Sequence, residues 1–208
     1  MTTPRVTIVT TVYDRMPCLA QCLRAMAHSL YRDYEQIVVS DAPPLHVRDE
    51  IATLVAAAGP QVRHLSLRTR SDDWGMTPAH AGLRAALGEY VCFLSDDNAY
   101  LPGHFGPLVA ALDANPGIGF VYSSCQYAGR MVLREAIPRG SRIDLGQPLF
   151  RTALLRATFP TEFPFHEFAW DWRMIDTLVR AGARWLHYDK PTFIFRLAAY
   201  PLYVKALR

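Results

Sequence analysis

One feature of the sequence narrows its possible folds more than any other: short β-branched, apolar runs alternate with segments whose apolar residues recur at helical spacing. Arg5–Val12 (RVTIVTTV) predicts a strand and Pro17–His28 an amphipathic helix. Tyr34–Ser40 (YEQIVVS) predicts a second strand, ended by Asp41 and a Pro43-Pro44 turn, and Val47–Ala58 a helix closed by Gly59-Pro60. A third strand is expected at Val62–Leu67, followed by a polar loop (RTRSDDWG), a helix over Thr77–Leu87 and a fourth strand at Tyr90–Leu94. These strands are apolar without alternation, so both their faces must be covered. A mostly parallel sheet between helix layers does that, and the fold class is α/β. Beyond Asp97 the rhythm loosens. A helix is expected over Pro102–Asn115, a strand at Ile118–Ser123, a hairpin or irregular excursion over 126–148, a helix over Trp170–Ala181, and two short strands at Arg184–Tyr188 and Thr192–Phe195. No repeat, linker or low-complexity tract interrupts the chain, so residues 1–208 are read as one domain.

Composition excludes several classes. A chain of 208 residues, half of them hydrophobic, buries roughly 70% of its unfolded surface and needs neither disulfides nor a structural metal to fold. The four cysteines (Cys18, Cys22, Cys92, Cys125) are scattered, which suits reduced thiols in a cytoplasmic protein. Cys18 and Cys22 lack a second ligand pair, so a zinc site is not expected. There is no apolar signal core near Met1 and no run approaching the ~18 apolar residues of a membrane span. The tail AAYPLYVKALR offers only weak association with a membrane surface. The net charge is 22 − 19 = +3, too small for a nucleic-acid binder. It divides into −2 over residues 1–100 and +5 over 101–208, with six arginines between Arg130 and Arg156 against Glu135 and Asp144.

The most informative residues stand at predicted strand ends: Thr11, Tyr13 and Asp14 after the first strand, Asp41 after the second, and Asp96-Asp97-Asn98 after the fourth. In open α/β sheets ligands bind beyond the carboxyl ends of the strands. Two adjacent carboxylates repel each other unless a cation neutralises them, and hard oxygen donors suit Mg²⁺ or Mn²⁺. The competing reading is structural: Asp96 caps the helix starting near Pro102, or the pair solvates a turn.

Five segments in order, VTIVTTVYDR, IVVSDAPP, GLRAALGEYVCFLSDDNAYLPGHF, ALDANPGIGFVYSS and WDWRMIDTLVRAGARWLHYDKPTFIFR, together resemble family 2 glycosyltransferases of the GT-A fold. The resemblance implies a mixed, mostly parallel sheet with helices on both faces, a donor-nucleotide half (about 1–100) and an acceptor half (about 101–208). It implies an inverting transferase that moves a sugar from a nucleoside diphosphate sugar, expected to be UDP-linked, to a glycan, lipid-linked or small-molecule hydroxyl acceptor. Thr11, Tyr13, Asp41 and Asp96 fall where family members hold the nucleotide, and Asp97 where they hold Mn²⁺ or Mg²⁺. Asp171 falls at the position of the general base, with Glu167 as the alternative and Asp176 as an ordinary helix-face charge. The chain departs from the family pattern at Asp73-Trp74-Gly75, at Ala79-His80, where an Arg-Asn is common, and after Arg196, where a histidine often follows. Arg70 is the expected substitute for the missing phosphate-binding arginine. Two rivals share this chemistry. A sugar nucleotidyltransferase is disfavoured because TTVYDRMP has no glycine. A non-catalytic nucleotide-sugar or glycan-binding module would bind without turnover.

Overall fold

The computed structural model of the protein describes residues 3–139 and 142–196. Three strand–helix units and a fourth strand open the chain: β1 (Val6–Val12), α1 (Met16–Ala27), β2 (Tyr34–Ser40), α2 (Leu45–Ala58), β3 (Val62–Ser66), α3 (Met76–Ala85) and β4 (Tyr90–Ser95). Then come β5 (Ala99–Tyr100), α4 (Phe105–Ala114), β6 (Phe120–Tyr127), β7 (Arg130–Val132), β8 (Pro148–Arg151), α5 (Thr152–Thr158), α6 (Trp170–Arg180) and β9 (Trp185–Ile194).

The strands form one sheet in the order β3-β2-β1-β4-β8-β6-β9-β5, with β7 paired to the far end of β6. β1, β2, β3 and β4 are parallel neighbours, β8 runs antiparallel between β4 and β6, and β9 is parallel to β6. The mixed, mostly parallel α/β sheet expected from the sequence is therefore present. Alternate residues of the apolar strands serve different layers. Val9, Val91 and Phe93 pack with α3, α5 and α6 on one face, while Ile8, Cys92 and Leu94 pack with α1 and α4 on the other. Gly82 lets α3 lie directly on β1, because a Cβ there would run into Val9.

The sheet must curl. The four steps from Ser95 to Ala99 reach at most about 14 Å, whereas four flat strand spacings from β4 to β5 would be about 19 Å. Register shifts around Ser124, where β6 meets Pro191 of β9, supply the bend. The curl carries the end of β9 back over the tip of β4, where Asn98 Oδ1 accepts the Arg196 N–H at 2.9 Å.

Three expectations are corrected here. The two short strands near the end are one strand, β9, bent at Pro191. Pro148, expected at the end of an irregular stretch, instead starts β8, which runs straight into α5 over residues to which the sequence assigns no element. Pro102 lies in a turn, and α4 starts at Phe105. Of the six arginines between 130 and 156, Arg151 donates to the carbonyls of Leu112 and Ile118, and Arg156 to those of Leu83, Arg84 and Ala86. The cysteines among the described residues are all free thiols, and no described helix is long and apolar enough to cross a membrane. The tail from 197 onward, including the stretch where the family histidine is missing, lies outside the described residues.

Candidate active site

The sheet order places a switch point between β1 and β4: the chain proceeds outward from β1 to β2 and β3, then returns to β4 on the other side of β1. Ligand crevices form where adjacent connections diverge in this way. The register pairs Thr11 with Ser95 and Val12 with Ser40, so the residues that follow each strand emerge at one edge. A crevice of about 350 Å³ opens there, lined by Thr11 and Ser95 from the strand tips, Trp74 from the loop before α3, Asp144 to Gly146 before β8, and Phe168 to Trp172 at the start of α6.

Asp96 and Asp97 sit at the tip of β4. Asp96 is buried, and both its oxygens face the Arg15 guanidinium, which also reaches Asp97 Oδ2 at 2.8 Å. Burial pushes the Asp96 carboxyl up to about 7, with Arg15 opposing the shift and Asp97 adding to it. Asp96 caps no helix; α4 begins without a side-chain cap. The sequence reading assigned Arg15 no role, yet its charge offsets the repulsion of the acidic pair. The available signal was its place one residue beyond Asp14, in the loop beside the β4 tip once β1 and β4 are neighbours.

The loop between β3 and α3 covers the end of this edge that carries Tyr13 and Asp41. The Arg70 guanidinium lies 4.0 Å over the Tyr13 ring and donates to its hydroxyl at 2.8 Å, while also pairing with Asp72. Arg70 is thus held against Tyr13 and exposed. Asp41 accepts the Ser71 N–H at 3.0 Å, and Ser71 Oγ lies 2.9 Å from both Asp41 Oδ2 and Asp73 Oδ1, though its one proton serves only one of them at a time. Asp41 therefore tethers this loop. Asp72 and Trp74 have positive φ, followed by Gly75, and a left-handed tryptophan is a strained conformation that clusters at functional loops. Trp74 is exposed and meets the exposed Phe168 edge-on at 4.9 Å, while its carbonyl accepts the Trp170 indole N–H at 3.3 Å. The loop and the start of α6 thereby form the two lips of the crevice.

Asp171 lies in the first turn of α6 and lines the crevice. Its Oδ1 accepts the Trp172 N–H at 2.7 Å, and the helix N-cap is Ala169, so Asp171 is not the cap. Burial raises its pKa against that hydrogen bond. Glu167 is exposed and pairs with Arg173 at 2.6 Å, and Asp176 pairs with Arg180 along the helix. Ala79 lines the floor of the crevice. His80 turns inward, its Nε2 3.3 Å from the Phe159 carbonyl and its ring against Phe163, so it neither replaces a ligand-facing asparagine nor meets solvent.

No group of three His, Cys, Asp or Glu side chains suited to a metal occurs among the described residues. Mg²⁺ and Mn²⁺ sites built on one or two carboxylates, with waters and substrate phosphates completing the shell, need no such cage. The Asp96–Asp97 pair fits that donor set, because Asp97 is partly exposed and Arg15 engages only its Oδ2.

A curled, mostly parallel sheet with an acidic strand tip at its switch point and an aromatic-lipped crevice beside it has the organisation of a GT-A domain. The chain belongs to glycosyl transferase family 2, whose model matches residues 7–170. It is 24% identical over 146 residues to the uncharacterized glycosyltransferase YwdF of Bacillus subtilis, an alignment covering 70% of this chain and 49% of that protein; the chain thus spans about half of that curated relative. The structure of S. aureus TarS 1-349 in complex with UDP superposes with a TM-score of 0.76 at 18% identity, covering 98% of this chain and 64% of that one. The mannosyltransferase PcManGT of Pyrobaculum calidifontis, in complex with GDP-Man and Mn²⁺, gives 0.73 at 19% identity, covering 95% and 58%.

Proposed function

We propose that the protein transfers a sugar from a nucleoside diphosphate sugar, with UDP the expected nucleotide, to a hydroxyl-bearing acceptor with inversion at the anomeric carbon. The observation that carries this reading is the placement of Asp171 and the tips of β1 and β4 in one crevice, at the sheet's switch point. The nucleotides bound to TarS and PcManGT support a donor of this class. On this reading Thr11, Tyr13, Asp41, Arg70 and Asp96 form the donor-nucleotide side, within about residues 1–100, and the acceptor enters from the side built by about 101–208. Tyr13 offers an aromatic face to the base and Asp41 an edge acceptor. Arg70, already stacked on Tyr13, must yield that face or share it.

Asp171 takes the acceptor hydroxyl proton as the acceptor oxygen bonds to the anomeric carbon. The bond from that carbon to the phosphate oxygen breaks, and the nucleoside diphosphate leaves with the bonding electrons. A carboxyl raised by burial is a stronger base than an exposed one. Trp172 and Phe168 line the same crevice as this carboxylate and limit water there. Asp97 would hold Mn²⁺ or Mg²⁺, which supplies positive charge to the departing diphosphate when bound.

A melting-midpoint screen of nucleoside diphosphate sugars with Mn²⁺ identifies the donor, since a ligand of the native state raises the midpoint. Asp171→Asn should then cut transfer by about 10²- to 10⁴-fold while keeping the donor's midpoint shift, and Asp97→Ala should abolish metal-dependent turnover. Donor binding with neither hydrolysis nor transfer would identify a binding module, and wild-type turnover by Asp97→Ala would remove the metal assignment.

A further inference from the structure

The reading above leaves Asp144 without a task, although the surrounding structure holds it firmly. Its backbone N–H donates to Gln147 Oε1 at 2.6 Å, and the buried Gln147 amide in turn donates to the carbonyls of Ser123 and Leu133. Asp144 Oδ1 accepts the Gly146 N–H at 2.8 Å, and the Gly146 carbonyl accepts the Tyr100 hydroxyl at 2.8 Å. A Cβ on Gly146 would run into Phe193. The turn is thus pinned to β5, β6 and β9, which holds the carboxylate in one place. A side chain that presents a group to a ligand needs locked supports of this kind.

The surroundings of the carboxylate indicate which ligand. Asp144 lines the crevice, and no cation among the described residues offsets its charge. Burial pushes its carboxyl up to about 6; the Gly146 N–H opposes that, while Asp171 and Asp97 both add to it. It lines the same crevice as Asp171, the base that would receive the acceptor proton, and as Ser95 at the tip of β4, two residues before Asp97 at the diphosphate end. A donor whose anomeric carbon is attacked near Asp171 and whose leaving oxygen departs near Asp97 has its sugar ring between those points. Sugar hydroxyls are the donors such a carboxylate lacks, and hydrogen bonds to an ionised acceptor are about twice as strong as neutral ones.

We propose that Asp144 is a specificity-determining residue for the donor, its carboxylate accepting hydrogen bonds from hydroxyl groups of the transferred sugar. This rests on the glycosyltransferase reading above.

The test is calorimetry in Mn²⁺ with UDP-GlcNAc against UDP and GDP-mannose against GDP, on the wild type and on Asp144→Asn. Asn keeps the oxygen that Gly146 uses and removes the charge. The variant should bind the matching sugar nucleotide about tenfold to a hundredfold more weakly and the bare diphosphate within twofold of wild type. Asp144→Ser, which retains a short acceptor, should show the same split and stands in if the Asn variant misfolds. Equal weakening of sugar nucleotide and diphosphate, or no weakening of either, would overturn the proposal. A wild-type protein that binds none of the four ligands would overturn instead the reading beneath it.

Discussion

Arg15 shows how much one residue decides at this site. Repulsion between Asp96 and Asp97 made a cation necessary on physical grounds, and a metal was the cation expected. In the folded chain a guanidinium occupies both Asp96 oxygens and one of Asp97's. Arginine suits this because its planar fork meets carboxylates bidentately, with weaker hydration than an ammonium. Removing it leaves a buried carboxylate beside a second one. Arg15→Ala should therefore cost about 1–3 kcal/mol, discounted from the cost of breaking a fully buried pair because Arg15 is half exposed. Thermal melts in chelator should read this as a midpoint several degrees lower. Added Mn²⁺ should raise the variant's midpoint more than the wild type's, and an equal rise in both would show that arginine and metal do not share these carboxylates. The acids were legible because strand ends can be read from sequence. Their cation was not, because Arg15 and Asp96 are 81 residues apart and only the pairing of β1 with β4 brings them together.

Among the elements, the first four strands and three helices were legible because each has a strong period and a stop signal. β8 and α5 were not. Four strand residues run straight into seven helical ones with no turn between them, too few for either period to register. β9 read as two strands because Asp189-Lys190-Pro191 resembles a break. Pro191 instead stands at the register shift, where a strand tolerates a missing N–H. α5 also gives a place to one of the six arginines between 130 and 156. The Arg156 guanidinium collects three carbonyls at the end of α3, a favourable place for a cation because the last helical carbonyls lack backbone donors. Arg156→Met should lower unfolding free energy by about 1–3 kcal/mol in denaturant titration with nucleotide affinity unchanged. Lost acceptor or donor affinity at wild-type stability would instead give it a role in binding.

At the scale of the whole molecule, the curl of the sheet brings three carboxylates from distant stretches, Asp97, Asp144 and Asp171, within electrostatic reach, and stability must record it. Asp144, pushed up to about 6, has a folded pKa above the ordinary carboxylate value near 3.9. The folded state then binds the proton more tightly than the unfolded chain. Its carboxylate destabilises the fold at neutral pH, and the penalty is relieved as pH falls from above 6 towards 4. Asp144→Asn should accordingly raise the melting midpoint relative to wild type at pH 8, with the gain vanishing near pH 4; a gain independent of pH would show that burial and the charges of Asp97 and Asp171 do not act on it as described. The sequence by itself determined the α/β class, the succession of elements over about residues 1–100 and the acids that end the strands, because apolar period and stop residues are local properties of the chain. The tertiary structure alone decided which charges meet, that Arg15 faces the acidic pair, that Arg156 and His80 serve the core, and that Asp144 enters the crevice. Those outcomes depend on strand order and sheet curvature, which bring together residues that no local pattern connects.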